Sequence, residues 1–534
     1  MESLLLSFYN LNLSDFHQSE VSQTLNVSQK HLSRCLNRWQ AAGVLSYKSA
    51  RGRGNKSTVL WHENIDDLYF NQVNELLNTK QISEAIQYLT WDWSMQHKQM
   101  LIIKANQFLG VSYGKVDKLI VQKRYAPIYS NPVEVVDINS SNILSSVYDT
   151  LLFYNKKLKD YEYKIAQYID FQESYAVIYL RKNVYFHDGS QVTSEDVKRC
   201  LMIALSHDET KVLLHPIHHI EIINLYVLKV KYKYFPYFKD VLCKLNLAIY
   251  KQDRNEFIGT GPFCITTNNE FQTTLKAFDH YYGHRSYLDE VELIYIPKLK
   301  RSNYSIGDYT LYNRVKFVDG FYYALSLAQN TLSKDQKYTL HYLLQQSIHA
   351  IDDNNINQSN AYILANQSLE ISRPKHLEKD FQVKIVYPSY IEKKMLKFKR
   401  YLQQFDIEAI LIPIDIMTSF NSRITLEGDI YIHGIYFNEA EHFEYFTMLF
   451  QNKIMHYHLS QQWNTLDKKY TVYINSPISK WDDINQYINR YLFDAHLLYP
   501  IFNVLRDIQV PKKIHNAHVT STGFYNFSEL LITN

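Results

Sequence analysis

Between positions 28 and 37 the sequence sets Ser28, Gln29, Lys30, Ser33, Arg34 and Asn37 at short, helix-like spacings. These side chains meet base edges and phosphate oxygens well, Lys and Arg as cationic donors and Asn and Gln as amides that both donate and accept. A second group follows in Lys48-Ser-Ala-Arg-Gly-Arg-Gly-Asn-Lys56, where Arg51, Arg53 and Lys56 offer cations to phosphates or to a minor groove. The chemistry in view is recognition of double-stranded DNA.

Such groups work only if local structure aims them. Val21 and Leu25 fall on one face of a first short helix, Asn26-Val27 makes a break, and the Ser28 hydroxyl is placed to cap a second helix. In that second helix Leu32, Leu36 and Trp39 form an apolar stripe at spacings of four and three, which leaves the polar set on the opposite face near its N-terminal end. Gly43 stops the helix. Residues 44–47 and 57–61 alternate like two short strands around the basic loop, so helix, glycine stop and basic hairpin follow the order of a winged helix-turn-helix over residues 1–62. That stretch holds seven Lys and Arg against three Asp and Glu, an excess larger than the +3 of the whole chain.

Residues 63–111 read as a helical connector: Ile65, Leu68, Tyr69, Val73, Leu76 and Leu77 keep a helical period, and Ile82, Ala85, Ile86 and Leu89 repeat it. Gly110-Val-Ser-Tyr-Gly-Lys115 has the look of a phosphate loop but is one residue short, and Val116 stands where Ser or Thr is needed.

The chain of 534 residues exceeds what one core usually supports, and 46% hydrophobic with 21% charged residues is the composition of a folded protein. Four scattered cysteines, Cys35, Cys200, Cys243 and Cys264, form no C-x-x-C pair, which argues against a disulfide framework or a zinc site and for a reducing compartment. Glu2 and the quick return to Ser7 and Asn10 do not make a secretory signal, and no apolar run reaches the ~18 to 20 residues that span a bilayer. The expectation is a cytoplasmic chain with no membrane partner.

From residue 112 to 534 strands and helices alternate. A strand is expected at 119–122, a helix at 145–153, and a hairpin in which 176–180 is followed by an arm ending in the Asp188-Gly189 turn. Thr193-Ser-Glu-Asp196 is a capping box, so His187, Asp188 and Asp196 have a structural explanation and no catalytic role is assigned to them. His215, His218 and His219, like His456 and His458, lack acidic or cysteine partners at ligand spacing, and no metal or cofactor is expected. No G-x-S-x-G, H-E-x-x-H or complete Walker sequence occurs, so an enzyme is not the expectation.

The order of three motifs resembles a known family. Phe186-His-Asp-Gly189 with Asp196-Val197, then Ile258-Gly-Thr-Gly-Pro-Phe263, then Tyr281-Tyr-Gly283 with Tyr287-Leu-Asp-Glu290, is similar to solute-binding proteins of family 5, the oligopeptide-, dipeptide- and nickel-binding group. Residues 321–330 and 428–437 continue the likeness, the latter as the strand that returns through the cleft. Joined to the basic N-terminal unit, the whole resembles SgrR-type transcriptional regulators. The resemblance implies a multidomain chain: a small winged helix-turn-helix with helical connector, then a two-lobed α/β fold of the periplasmic-binding-protein type. Family peptide binders hold the ligand's ammonium group with an aspartate after the cleft strand. Asn438 stands nearest that place and no Asp is present, which favours a sugar or sugar phosphate over a free peptide N-terminus. Tyr125, Tyr431, His433, Tyr436 and Asn438 are the ligand-site candidates.

The expected function is a DNA-binding regulator that senses a small molecule (sugar, sugar phosphate or peptide) and couples lobe closure to DNA affinity. A second copy of the chain is a candidate partner. The alternative is the solute-binding component of an ABC transport system.

Overall fold

The structure, a computed structural model, describes residues 1–534 except 51–54, 80, 107–109, 113–115, 124–125, 156–157, 255, 296–311, 348–355, 358–363, 365–366, 368, 416–417, 419–424, 436, 438–439, 512–513, 517–525 and 533–534. The chain divides into two compact units, one of residues 1–126, 265–276 and 288–311, the other of residues 127–264, 277–287 and 312–534.

The first unit begins with α1 (Ser3–Asn10), β1 (Asp15–Phe16), α2 (Gln18–Thr24), α3 (Gln29–Ala41), β2 (Leu45–Lys48) and β3 (Ser57–Trp61). The strands pair antiparallel in the order β1-β3-β2, with Leu45 opposite Trp61 and Asp15 opposite Thr58. The chain turns between α2 and α3 at Asn26, whose φ of +53° is tolerated by an Asn side chain. The backbone N–H of His31 then donates to Ser28 Oγ at 3.2 Å, capping α3 as the sequence expects. Gly43 ends the helix with φ +76°, a conformation that costs other residues dearly. This is a winged helix-turn-helix.

Three helices follow: α4 (Ile65–Asn78), α5 (Ile82–Leu89) and α6 (Met95–Asn106). Ile65, Tyr69, Val73 and Leu77 bury one face of α4, while Leu68 stays 40% exposed despite its place in the apolar pattern. Beyond them β4 (Gly110–Ser112) and β5 (Lys118–Gln122) join a five-stranded sheet in the order Phe263–Asn268, Gln272–Ala277, Glu290–Ile294, β5, β4. Within this unit a single apolar core runs from Leu6, Leu36 and Trp39 through Val73, Ala85 and Leu101 to Ile120 of β5 and Ile294. The winged helix therefore shares its core with the sheet, and each fully buried Leu in it contributes about 1.5 to 3 kcal/mol.

The second unit is mixed α/β. Its four-stranded antiparallel sheet runs Ile217–Asn224, Val227–Tyr232, Tyr175–Leu180, Ala166–Phe171. Its six-stranded sheet runs Ile356–Asn357, Leu498–Pro511, Tyr312–Ser326, Ile430–Ile435, Phe381–Pro388, Ile407–Ile414, with parallel pairing among the last three. The helices Lys334–Gln346 and Glu392–Gln403 close one face of that sheet through Leu340, Leu344, Met395 and Phe398, which pack with Ile430 and Ile432.

Two local expectations fail. No helix forms at 145–153; the helix is Ile138–Leu144, followed by turns and the strand Leu152–Asn155. Asp137 caps the earlier start, and long-range bonds from Gly261 N–H to Val147 O (2.8 Å) and Phe263 N–H to Ser146 O (3.0 Å) take the backbone groups a helix would use. Strand Tyr175–Leu180 pairs with its neighbours on both sides, not with the segment after it; the Asp188-Gly189 turn closes only an isolated bridge between Tyr185 and Gln191. The capping box is present: the Asp196 carboxylate accepts the Thr193 N–H at 3.0 Å and its hydroxyl at 2.8 Å, at the start of Ser194–Ser206.

Candidate nucleic-acid interface and ligand site

The amphipathic period of α3 sorts its residues cleanly. Leu32, Cys35, Leu36 and Trp39 are buried, and Ser28, Gln29, Lys30, Arg34 and Asn37 are exposed. Lys30, Arg34 and Asn37 follow one another at four and three residues, so they form one stripe along the open side of the helix. Ser33 is different: it is half-buried, and its Oγ takes a hydrogen bond from Gln18 Nε2 at 2.5 Å, which ties α3 to α2. Ser28 spends its hydroxyl on the helix cap. Of the six residues expected to meet DNA on this segment, the structure leaves Gln29, Lys30, Arg34 and Asn37 projecting with side chains not used by a cap or an interhelix bond.

On the wing, Lys56 pairs with Asp15 at 2.7 Å, both groups being about half exposed. An exposed pair of this kind is worth about 0 to 1 kcal/mol, so a phosphate can compete for the ammonium group. Arg51 and Arg53 lie outside the described residues. Between the starts of α2 and α3 and the base of the wing lies a polar concavity of about 450 Å³, lined by His17, Gln18, Gln29, Ser49, Asn55 and Ser57 among others. His17, Gln18 and Asn55 carried no signal in the sequence, because their convergence depends on how the wing folds back.

In the second unit, Tyr431 and His433 sit two residues apart on Ile430–Ile435 and so share a face of the sheet, opposite the core residues Ile430 and Ile432. The Tyr431 hydroxyl and His433 Nδ1 are hydrogen-bonded at 3.0 Å and their rings stack at 5.2 Å. Tyr323 lies directly across from His433 in the antiparallel register, with its ring edge-on at 6.3 Å. Burial pushes the Tyr431 phenol well above its ordinary range and holds His433 down at about 4, so both groups are neutral near pH 7. Tyr323 was missed by sequence reasoning because only strand register brings it to the pair. Tyr125, Tyr436 and Asn438 lie outside the described residues.

The family motifs hold one another. The His187 N–H donates to Gly259 O and its Nε2–H to Gly261 O, each at 3.0 Å, joining the two motif loops. A Cβ on Gly259 would stand 2.0 Å from Val147 O, so close backbone approach explains the glycine. Burial opposes the charge on Asp188, yet Lys251 at 2.6 Å and bonds from Ser190 hold its carboxyl at about 2. These contacts are turn chemistry. Among the described residues no three His, Cys, Asp or Glu side chains are disposed to hold a metal ion, and no helix is long and apolar enough to cross a membrane.

The arrangement defines a class: a winged helix-turn-helix built into a chain with a solute-binding α/β fold. Comparison with known proteins agrees. Residues 4–108 match the family model for the sugar transport-related sRNA regulator N-terminal region, and residues 174–305 match that for the middle of bacterial extracellular solute-binding proteins, family 5. The two regions are matched in the order that the resemblance to SgrR-type chains implies. The chain's relatives include the HTH-type transcriptional regulator SgrR of Salmonella choleraesuis, 26% identical over 293 residues (53% of this chain and 51% of the relative), and that of Pectobacterium atrosepticum, 24% identical over 301 residues with the same coverage. The chain spans about half the length of the curated relatives it matches. Among solved structures, a dipeptide-binding protein from a Pseudoalteromonas species in complex with Met-Leu superposes with a TM-score of 0.65 at 12% identity, covering 78% of this chain and 100% of the other. The oligopeptide-binding protein AppA of Bacillus subtilis gives 0.63 at 15% identity, covering 78% and 99%. These likenesses show the fold.

Proposed function

We propose that the chain is a DNA-binding transcriptional regulator whose solute-binding fold senses a small molecule and passes the state of that site to the winged helix. The observation that carries the reading is the projecting stripe of Lys30, Arg34 and Asn37 on a helix whose other face is locked into the core. Arg51, Arg53 and Lys56 would serve the wing, on phosphates or in the minor groove. The relatives' description as transcriptional regulators supports the same conclusion, and a chain that works on DNA belongs in the cytoplasm. No catalytic step is part of this function.

For the ligand, the neutral Tyr431–His433 pair and the facing Tyr323 favour a molecule rich in hydroxyl groups, since hydroxyls both donate and accept and aromatic faces suit the apolar face of a sugar ring. A sugar is the first choice, ahead of a sugar phosphate or a peptide. Mass spectrometry of small molecules that copurify with the native protein tests this: a sugar retained by the wild type and lost from a folded His433→Ala variant supports it, and a peptide in its place refutes it. A solute-binding role in transport draws on the same fold, and recovery of the chain from secreted or membrane fractions with a processed N-terminus would favour that reading.

A further inference from the structure

Glu2 occupies the N-cap position of α1, where a side-chain oxygen ordinarily bonds a free amide of the first turn. Its carboxylate makes no such bond. Instead Oε2 accepts the indole N–H of Trp39 at 3.0 Å, and Oε1 takes the guanidinium of Arg38. Both donors belong to the last part of α3, and Trp39 is only 3% exposed. The backbone N–H of Glu2, meanwhile, donates to the buried Tyr69 hydroxyl of α4 at 3.1 Å. One residue thus grips the recognition helix with its side chain and the connector with its main chain.

The connector end of this link is itself fixed. Asp66, at the start of α4, accepts His97 Nδ1 of α6 at 2.6 Å, Asn10 Nδ2 of α1 at 3.1 Å and the Ser94 N–H at 3.2 Å. His97 also lies 3.3 Å from Asp67 and stacks on Phe70 at 4.2 Å. A local rule set aside at a cap, with the carboxylate sent to a different helix, marks a residue placed for tertiary geometry.

We propose that Glu2 is a positioning residue for the nucleic-acid interface: it sets the angle of α3 on the connector, so that Lys30, Arg34 and Asn37 are presented together. It touches no nucleic acid itself. The Glu2 side chain is 36% exposed and its partner Arg38 61%, so screening weakens the charge pair, and the bond to the indole N–H carries the geometry. This inference rests on the DNA-binding reading for its consequence, though not for the link itself.

The test uses the full chain and three variants: Glu2→Ala, Glu2→Gln, which keeps an oxygen for Trp39 but loses the charge for Arg38, and Tyr69→Phe. Without DNA, amide hydrogen exchange in the last turn of α3 should quicken about tenfold in Glu2→Ala, the effect of leaving the buried Trp39 donor without its acceptor. Glu2→Gln and Tyr69→Phe should fall between it and the wild type, while exchange in β2 and β3 stays unchanged. With a duplex selected by the wild-type protein from a random-sequence pool, Glu2→Ala should bind about tenfold more weakly with an unchanged salt slope, because no phosphate contact is lost. Wild-type exchange in Glu2→Ala overturns the proposal. So does uniform acceleration across the unit, which would make Glu2 a general stabiliser. If the wild type selects no duplex, the DNA-binding reading fails, and the exchange data still decide whether Glu2 holds the helix.

Discussion

Arg34 gives the sharpest test of the interface. It is exposed on α3, between Lys30 and Asn37 on the projecting stripe, and among the described residues it has no ion-pair partner. Arg34→Ala therefore removes nothing that holds the fold, and its effect on stability should stay within about 0.5 kcal/mol. If the guanidinium reads a guanine edge, the loss is about 1 to 3 kcal/mol, or roughly 5- to 150-fold in Kd, confined to one base position of the site. If it meets only a phosphate, binding weakens evenly across sequences and the salt slope falls by about 1. Binding titrations at several salt concentrations, on the selected duplex and on single-base variants of it, separate the two. Unchanged affinity, specificity and salt slope in a folded Arg34→Ala protein would refute the assignment of α3 as a recognition helix.

Further expectations concern the body of the fold. Gly259→Ala places a methyl group 2.0 Å from Val147 O in a packed backbone crossing, so it should destabilise by at least about 2 kcal/mol; a urea midpoint equal to wild type would show that the close approach is not rigid. His458 is 1% exposed, accepts the Ala328 N–H at 3.0 Å through Nδ1, and is held by burial at about 4. Its folded form resists a proton that the unfolded chain takes up near pH 6.5, so its contribution is intact above that pH and is lost as pH falls toward 4. The loss is about 3 kcal/mol at most. Urea unfolding at pH 7.5 and 5 should show the wild type losing more stability on acidification than His458→Asn; an equal or smaller loss contradicts the burial argument.

Legibility followed the range of the forces. The helix-turn-helix could be read because the Ser28 cap, the Gly43 stop and the Leu32, Leu36, Trp39 stripe act within a few residues of one another. α1 could not, since Ser7 and Asn10 interrupt its apolar pattern and its burial of Leu5, Leu6 and Phe8 depends on α3 and α4. The helix expected at 145–153 failed for the same reason: Val147 and Leu151 are buried in irregular backbone, and the carbonyls of Ser146 and Val147 bond to Phe263 and Gly261, more than a hundred residues away. In the proposed ligand site, the alternation that joins Tyr431 to His433 is visible in one strand, whereas Tyr323 enters only through pairing register. Glu2 is the plainest omission. An acidic residue before a short helix reads as a cap, and only the fold reveals that its carboxylate serves another helix.

The central claim is that the state of the solute site is felt at the winged helix. The direct measurement is the affinity of the full chain for DNA upstream of its own gene, titrated with and without the small molecule that copurifies with it. Coupling of about 1 to 3 kcal/mol predicts a shift of roughly 5- to 150-fold in Kd, abolished in a folded variant that no longer binds the ligand. A ligand that binds and leaves the DNA affinity unchanged would contradict the account.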